Sequence, residues 1–242
     1  MSMKEKTLQL KKDFDDVYDA GKQKQEEEHW DKLIAVANKG YYTFSGNFWN
    51  DMTFAPPKDI VVAEGYGLFA YTSIRNLKTC FEKTGAKLDT SHCSIITGMF
   101  RNGKYEYLPV IDASYASSLQ YLLYEDGSLV TVEKLKLSET KAQTFGDTVF
   151  YGCSKLRDIE VEGKIRKNGV ILKYCKDLSK ASIKSWMNAL ADDVSGYPIT
   201  LPKIAVDREF ETAPGANDGS KSTEWAEELA KKPNWTVILS NA

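Results

Sequence analysis

The chain has 242 residues, enough to bury a sizeable core in one or two domains. Its 32 Lys and Arg residues against 34 Asp and Glu give a net charge of −2, so bulk charge favours neither nucleic acid nor an anionic membrane surface as a partner. No apolar run approaches the roughly 18 residues needed to cross a bilayer, and the N-terminus has no apolar signal-peptide stretch. We therefore expect neither membrane insertion nor export by the usual signal-peptide route.

The first segment, from Met1 to about Lys39, is polar and predicts one long helix or two helical pieces, with a bend or break at Gly21. Its few apolar residues make a narrow stripe that gives little area to hold the helix on a monomer. We therefore expect the helix to dock on another protein or on copies of itself, and the alternative is a solvated helix packed on its own domain. The candidate docking residues are Leu10, Phe14, Val17, Trp30 and Leu33.

The segment from Tyr41 to Phe54 is rich in aromatic residues mixed with Asn, Ser, Gly and Thr. Such residues can stack on sugars or other flat ligands, but aromatic side chains more often belong to a core. We interpret the segment as a cap over the end of the domain that follows. Pro56 and Pro57 then stiffen the connection to a strand at Ile60–Val62.

The stretch from Leu88 to Gly163 repeats. Each unit opens on an aliphatic residue that begins a strand-like segment, and these residues are Leu88, Ile111, Leu135 and Val161. Their intervals of 23, 24 and 26 residues lie in the range of leucine-rich repeats. Because a single unit cannot bury its own apolar face, neighbouring units are expected to stack. The pattern predicts an α/β fold built on a short leucine-rich-repeat solenoid.

Polar residues flank the unit-opening positions, and alternation along a strand predicts that they point outward as a ladder. This candidate contact surface consists of Asp89, Ser91, Asp112, Ser114, Lys136 and Ser138. Ordinary solvated surface is the alternative interpretation. The four cysteines show no C-x-x-C spacing, so we expect buried apolar residues rather than disulfides or metal ligands.

After the repeats the apolar period changes. A helix is predicted from Ser179 to Ala191, with Ser179 as its N-cap, because apolar residues recur there at helical spacing. A strand at Tyr197–Leu201, a loop at 213–222, a helix carrying Trp225 and Leu229, and a final strand at Trp235–Leu239 follow. They predict a small C-terminal α/β cap. The predicted division is 1–58 for the helix and aromatic cap, 59–177 for the repeats, and 178–242 for the C-terminal cap.

The repeats, above all FYGCSKLRDIEVEGKI from Phe150, resemble the bacterial leucine-rich repeats called BspA-like. The C-terminal stretches LSKASIKSWMNALADDVSGYPITLPKIAV and STEWAEELAKKPNWTVIL are similar to the tail of many such proteins in Firmicutes and their phages, and VYDAGKQKQEEEHWDKL is similar to the start of phage versions. The earlier units depart from the pattern, with Asn102-Gly103 and Glu125-Asp126 in place of Gly-Cys. The resemblance implies a non-enzymatic surface, adhesion or virion protein.

The residues themselves offer little to an enzyme hypothesis. His92 and Cys93 are adjacent, so their side chains point in different directions on an extended segment and make a poor nucleophile–base pair. The carboxylate pairs at Asp192-Asp193 and at 26–28 are interpreted as solvated structure rather than as acid–base or metal sites. No Walker, G-x-S-x-G, H-E-x-x-H or zinc spacing occurs. We expect no catalytic residue, cofactor or metal.

The sequence therefore predicts a binding or structural protein. The first hypothesis is a phage virion component of the tail, baseplate or head fibre, which assembles as a homo-oligomer or on other virion proteins and contacts a host surface protein or glycan. The second is a bacterial cell-surface adhesin. The third is a glycan-degrading enzyme.

Overall fold

A computed structural model describes residues 3–37, 42–167, 169–210 and 223–241. Its helices are α1 (Met3–Ala37), α2 (Leu77–Glu82), α3 (Lys180–Ala189), α4 (Lys203–Phe210) and α5 (Thr223–Ala230). Its strands are β1 (Ile60–Val61), β2 (Leu88–Asp89), β3 (Tyr107–Asp112), β4 (Thr131–Lys136), β5 (Asp158–Glu162), β6 (Val170–Ile171), β7 (Tyr197–Pro202) and β8 (Trp235–Ser240).

The described strands form three separate parallel sheets, in the orders β1-β2, β3-β4-β5 and β6-β7-β8. This mixed α/β architecture agrees with the predicted class. The prediction of a leucine-rich-repeat solenoid is wrong, because three small sheets and five helices take the place of one continuous sheet over stacked repeats. The proposed three-part division of the chain stays a prediction.

The central sheet pairs the repeated residues in register. Ile111 lies opposite Leu135, and Leu135 lies opposite Val161. The sequence analysis placed these residues at the starts of their strands. In the structure they lie near the ends of the strands. Leu88 pairs instead with Ile60 in the first sheet, so the first repeated position belongs to a different sheet from the other three.

A second ladder of backbone hydrogen bonds joins the turns that lie between the strands. Each turn donates to the carbonyl of the next turn along the chain, in the pairs Phe44 to Leu68 (2.9 Å), Phe69 to Met99 (2.8 Å), Phe100 to Leu122 (3.0 Å) and Leu123 to Val149 (3.2 Å). Backbone polar groups that leave water must find such partners. Backbone hydrogen bonds therefore fix the register of the turns as well as that of the strands.

The hydrogen bonds between turns show which residues replace the Gly-Cys pair in the earlier units. Asn102 and Glu125 have φ values of 53° and 55°, in the left-handed region that Gly152 also adopts at 79°. Glu125 donates its N–H to the carbonyl of Tyr151, one residue before Gly152. The three residues thus occupy one equivalent position, although only glycine adopts this conformation without a steric cost.

Apolar side chains fill the space between strands and turns in one cluster that runs from Ala37 to Trp235. Three phenylalanines stack along it, with ring centroids of Phe44 and Phe69 at 5.3 Å and of Phe69 and Phe100 at 5.8 Å. Further along, Phe150 meets Trp186 of α3 edge-on at 5.3 Å. Aromatic pairs in these geometries add to the stabilisation from burial alone.

Helix α3 covers the edge of the central sheet at β5. As predicted, Ser179 is its N-cap, and its hydroxyl accepts the N–H of Ser182 at 3.3 Å. Along the same helix, Ser182 Oγ accepts the N–H of Ile159 at 2.8 Å and Ser185 Oγ accepts the N–H of Val161 at 2.7 Å. The hydroxyls take the place of the next strand, so the edge of β5 offers no free ladder for another chain.

Replacing Ser182 with Ala should destabilise the protein by about 1–3 kcal/mol, because the buried N–H of Ile159 loses its acceptor. Chemical denaturation followed by circular dichroism measures this loss. The control is Asn188→Ala, which changes an exposed side chain on the same helix and should cost less than about 0.5 kcal/mol. Equal costs for the two variants would contradict this account of the β5 edge.

Helix α1 is continuous through Gly21, so the predicted break there is wrong. The helix meets the rest of the protein at its C-terminal end. Trp30 contacts the rings of Phe44, Trp49 and Phe54, at centroid distances of 5.6–6.1 Å. Phe44 and Phe54 are fully buried, so these two residues of the aromatic segment serve the core rather than a ligand.

The prediction that the cysteines are buried is confirmed: Cys80, Cys93, Cys153 and Cys175 are all buried and none forms a disulfide. Asp126 occupies the position in its turn that Cys153 occupies in the next turn, because the preceding residues Glu125 and Gly152 are equivalent. A carboxyl group therefore replaces a thiol at this position.

Asp126 is fully buried. The backbone N–H groups of Ser128, Tyr105 and Leu129 lower the pKa of this carboxyl by less than burial raises it, and neither carboxyl oxygen has a hydrogen bond of normal geometry. Burial therefore raises the pKa of Asp126 to about 8. At neutral pH the folded protein keeps this group protonated.

Asp126→Asn should remove one component of the pH dependence of stability. Between about pH 4, where the unfolded carboxyl ionises, and about pH 8, the folded state holds a proton that the unfolded state lacks. Wild-type stability should therefore fall, relative to the variant, by up to about 1.4 kcal/mol per pH unit as pH rises through this window. Urea denaturation of both proteins at several pH values measures the difference, and parallel curves would contradict the burial of an ionisable Asp126.

Candidate functional site

The predicted contact surface is only partly assembled by the fold. Asp112 of β3 lies opposite Lys136 of β4, and Lys136 lies opposite Glu162 of β5, so these three side chains form a row across the central sheet. Asp89 belongs to β2 in the neighbouring sheet. The two sheets are joined at this point by Thr90, whose Oγ1 accepts the N–H of Asp112 at 2.9 Å.

The aspartates of this surface form turns with the serines predicted beside them. Asp89 Oδ1 accepts the N–H of Ser91 at 2.9 Å, and hydrogen bonds from Ser91 hold the pKa of Asp89 below its usual range. Asp112 Oδ1 accepts the N–H of Ser114 at 3.0 Å and its hydroxyl at 2.5 Å. These carboxylates already have local partners, as is usual where Asp ends a strand and starts a turn. Their first role is structural.

Ser138 does not offer its hydroxyl to the surface, so its inclusion in the contact surface was wrong. The residue is 6% exposed. Its Oγ accepts the N–H groups of Lys141 at 2.9 Å and Thr140 at 3.3 Å, and its own N–H donates to Gln143 Oε1 at 2.8 Å. The polar side chains turn inward here to satisfy the backbone of a loop.

The outward face of the central sheet carries charges of both signs. Lys134 Nζ lies 3.0 Å from a carboxylate oxygen of Glu160 and 2.8 Å from one of Glu162. Hydrogen bonds to the two carboxylates raise the pKa of Lys134, and the bond from Lys134 lowers the pKa of Glu162. Exposed ion pairs of this kind add little stability. They do give the face a fixed charge pattern that a partner can match.

A row of tyrosines lies on the turns, and the sequence reasoning missed it. The rings of Tyr124 and Tyr151 stack with centroids 5.2 Å apart, and Tyr174 meets Tyr151 at 4.6 Å. Tyr121 adds a fourth ring, 5.4 Å from Tyr124. Only the Tyr124–Tyr151 pair is stacked, and the other two contacts are edge-on. Tyr121 and Tyr151 are each 39% exposed. Tyrosine is enriched where proteins bind one another, since it is rigid and amphipathic.

The signal for this row was present in the repeat. Tyr124 and Tyr151 each stand directly before the left-handed turn residues Glu125 and Gly152, and the preceding turn has Arg101 at the same place. Arg101 in turn lies over the rings of Tyr42 and Tyr71, 5.5 and 5.3 Å from their centroids. Aligning the units on their turns, rather than on their strands, brings the row into view.

The cysteine and histidine considered as a catalytic pair have different surroundings. Cys93 is buried, its thiol donates to the carbonyl of Ile95 at 3.0 Å, and burial raises its pKa to about 11. His92 is exposed and its Nδ1 lies 2.9 Å from Ser91 Oγ. A thiol with a raised pKa is a weak nucleophile at neutral pH.

The Asp192-Asp193 pair, considered for acid–base or metal chemistry, is engaged in local contacts. Asp192 accepts from Lys232 Nζ at 2.6 Å, and Asp193 pairs with Arg166. Across residues 3–37, 42–167, 169–210 and 223–241, no group of three or more His, Cys, Asp and Glu side chains is placed to hold a metal ion. No helix in the described part of the chain is both long enough and apolar enough to cross a membrane.

Comparison of the chain with protein-family models, with curated proteins and with solved structures finds no significant match.

Replacing Asp112 with Ala should destabilise the protein by about 1 kcal/mol, because the N–H of Ser114 loses its acceptor, whereas Asp112→Asn keeps an acceptor oxygen and should cost less. Thermal denaturation compares the two variants. Glu160→Ala serves as the control, since Glu160 is exposed and only pairs with Lys134 on the same face. If all three variants match the wild type, the turn at Asp112 is not structural.

Proposed function

We propose that this chain is a non-enzymatic binding and assembly protein, and that it is a component of a phage virion. In this role α1 attaches the protein to other virion proteins or to further copies of itself. The surfaces of the body then contact the neighbouring parts of the particle or a host surface protein or glycan.

The observation that carries the proposal is the way in which α1 is held. With 35 residues, the helix is about 50 Å long. Among its described side chains, those that pack against the core are Trp30, Leu33, Ile34 and Ala37, all within the last three turns. Residues 24–29 are exposed on every side, as are the described side chains before them. A long helix anchored at one end is suited to joining two bodies.

The attachment of the anchored end is firm. Trp30 packs in the aromatic cluster of Phe44, Trp49 and Phe54, and Asp31 pairs with Lys58 at 2.6 Å. The helix therefore leaves the body in a defined direction rather than as a flexible tail. Of the residues predicted for docking, Trp30 and Leu33 pack against the body itself. The side chains of Leu10, Phe14 and Val17 lie outside the described residues, and their role in docking stays a prediction.

Two further features support binding rather than catalysis as the activity. Tyr121 and Tyr151 of the tyrosine row are exposed, and tyrosine is enriched where proteins bind one another. The charged face of the central sheet carries a fixed pattern of charges that a partner can match. The placement in a virion draws on the resemblance of the opening VYDAGKQKQEEEHWDKL and of the C-terminal half to phage proteins of the BspA-like kind. On the same resemblance we propose that the chain is related to these BspA-like proteins.

Mass spectrometry of phage particles purified by density gradient tests the placement. We expect peptides of this chain in the particles. The amount of the chain should stay in a constant ratio to that of a known tail, baseplate or head protein from one preparation to the next. Washed membranes and culture supernatant of uninfected cells are the controls. Recovery of the chain from the cell envelope, and not from particles, would support the adhesin hypothesis and contradict ours.

Substitution in the N-terminal half of α1 tests the role of this helix in attachment. Changing Leu10, Phe14 and Val17 together to Ser should abolish incorporation into particles, because the stripe that meets a partner is lost. The thermal midpoint of the purified variant is measured as well, so that loss of incorporation by a folded protein is distinguished from loss of the fold. The control changes the exposed polar residues Lys12, Asp16 and Lys24 to Ser. Normal incorporation of the first variant would exclude α1 as the attachment element.

A further inference from the structure

We propose that Tyr121, Tyr124 and Glu125, which together we call the tyrosine corner, bind an arginine side chain of a partner protein. The inference rests on the proposed binding function but not on the placement in a virion. It assigns a chemical class of partner to one part of the tyrosine row. Every residue of the tyrosine corner, and of the turns on either side of it, belongs to the described range 42–167.

The first observation is the backbone conformation of Tyr121. Its φ of 59° lies in the left-handed region, where a bulky side chain is strained. The carbonyl of Tyr121 accepts the N–H of Tyr124, and Gly67 and Gly98 accept the same bond from the third residue after them in the two preceding turns. Both glycines also have left-handed φ values. Since glycine serves the fold at this position without strain, the exposed ring of Tyr121 indicates a role in binding.

The second observation is a carboxylate beside these rings that has no cationic partner. Glu125 is exposed, and its Oε2 accepts a hydrogen bond from the side-chain amide of Asn102 at 2.8 Å. Within the described part of the chain, no Lys or Arg forms an ion pair with Glu125. Burial and the charge of the nearby Glu125 carboxylate raise the pKa of Tyr124. The tyrosine corner therefore presents one carboxylate together with protonated phenol groups.

Other tyrosine rings of this molecule contact cations of the chain itself. The guanidinium carbon of Arg101 lies 5.5 Å from the ring centroid of Tyr42 and 5.3 Å from that of Tyr71, and Arg101 also donates to the Tyr42 hydroxyl. Lysine ammonium groups lie over the rings of Tyr107, Tyr115 and Tyr174. In the described ranges no Lys or Arg lies over the rings of Tyr121, Tyr124 and Tyr151. These rings, beside a carboxylate, are suited to a cation that another molecule supplies.

The contact with Arg101 shows which cation the tyrosine corner favours. Tyr42 and Tyr121 occupy the same place in their turns, because Tyr42 also has a left-handed φ, 46°, and its carbonyl accepts the N–H of Ser45 three residues later. A tyrosine at this place therefore takes part in guanidinium binding elsewhere in the molecule. The planar guanidinium stacks on a ring while its N–H groups donate to a carboxylate, which an ammonium group does less well. A neutral glycan brings no charge to balance Glu125.

Titration of the full chain with an arginine peptide provides the first test. The probe is the blocked peptide Gly-Arg-Gly-Arg-Gly, and the control peptide carries citrulline, which has nearly the same shape but no charge, in place of both arginines. In NMR spectra of protein with isotope-labelled tyrosine, the ring signals of Tyr121 and Tyr124 should shift and saturate with the arginine peptide alone. Added salt should weaken the binding, since exposed charges are screened. An equal response to the two peptides, or none to either, would overturn the proposal.

Two variants separate binding from folding. Tyr121→Gly should fold, because glycine holds the same position at Gly67 and Gly98, yet it should raise the dissociation constant of the arginine peptide by about threefold or more. Glu125→Gln keeps the size of the side chain and should raise the constant by about fivefold or more. Glu160→Gln is the matched control, since Glu160 is an exposed carboxylate on the central sheet, and it should leave the constant unchanged. Wild-type affinity in both Tyr121→Gly and Glu125→Gln would contradict the assignment.

These measurements are independent of the placement in a virion. Binding of the arginine peptide by a chain that is absent from particles supports this inference and contradicts only the virion proposal. Failure to bind the peptide by a chain that is present in particles overturns this inference alone. A response of the same ring signals to chitotetraose, an uncharged oligosaccharide, without a response to the arginine peptide would also overturn it and point to a glycan ligand.

Discussion

The structure depends on one constraint: each turn and strand must exchange backbone hydrogen bonds with the neighbouring units of the chain. The bonds from Phe69 to Met99 and from Phe100 to Leu122 illustrate it in the turns, and the register of Ile111 on Leu135 illustrates it in the central sheet. Such a chain always has a last unit with unsatisfied groups. The protein meets this need locally, with the serines of α3 at β5, and the sheets are short because a helix intervenes where a further strand would otherwise pair.

Much of the local structure could be predicted from spacing alone. The N-cap at Ser179 and the register of Ile111 with Leu135 and Val161 follow from helical and repeat periods, which backbone geometry imposes directly. The break at Gly21 was predicted wrongly, because one glycine costs a helix only about 1 kcal/mol and its neighbours are good helix formers. The division into three sheets could not be predicted, since it depends on where helices insert between strands.

The candidate site, too, depends on contacts that residue spacing does not reveal. Asp89 and Asp112 are half-buried, and the sequence pattern could not reveal that each carboxylate accepts a hydrogen bond from the serine two residues later. Ser138 was assigned outward by simple alternation, which fails because Ser138 lies beyond the end of β4, where its hydroxyl accepts backbone N–H groups of the following loop. The tyrosine row emerges only when residues 27 apart, Tyr124 and Tyr151, are seen side by side.

The attachment of α1 has a consequence for geometry at its far end. A helix advances about 1.5 Å and turns about 100° for each residue. Helix α1 packs on the body through Trp30 and is continuous to Met3. The number of residues between these two points therefore sets the angle, about the helix axis, at which a partner of the N-terminal end is held. Deleting a single residue near Gln25 would move that partner by little, yet rotate it by more than a quarter of a circle. The length of the helix and the orientation of its partner therefore cannot be varied independently.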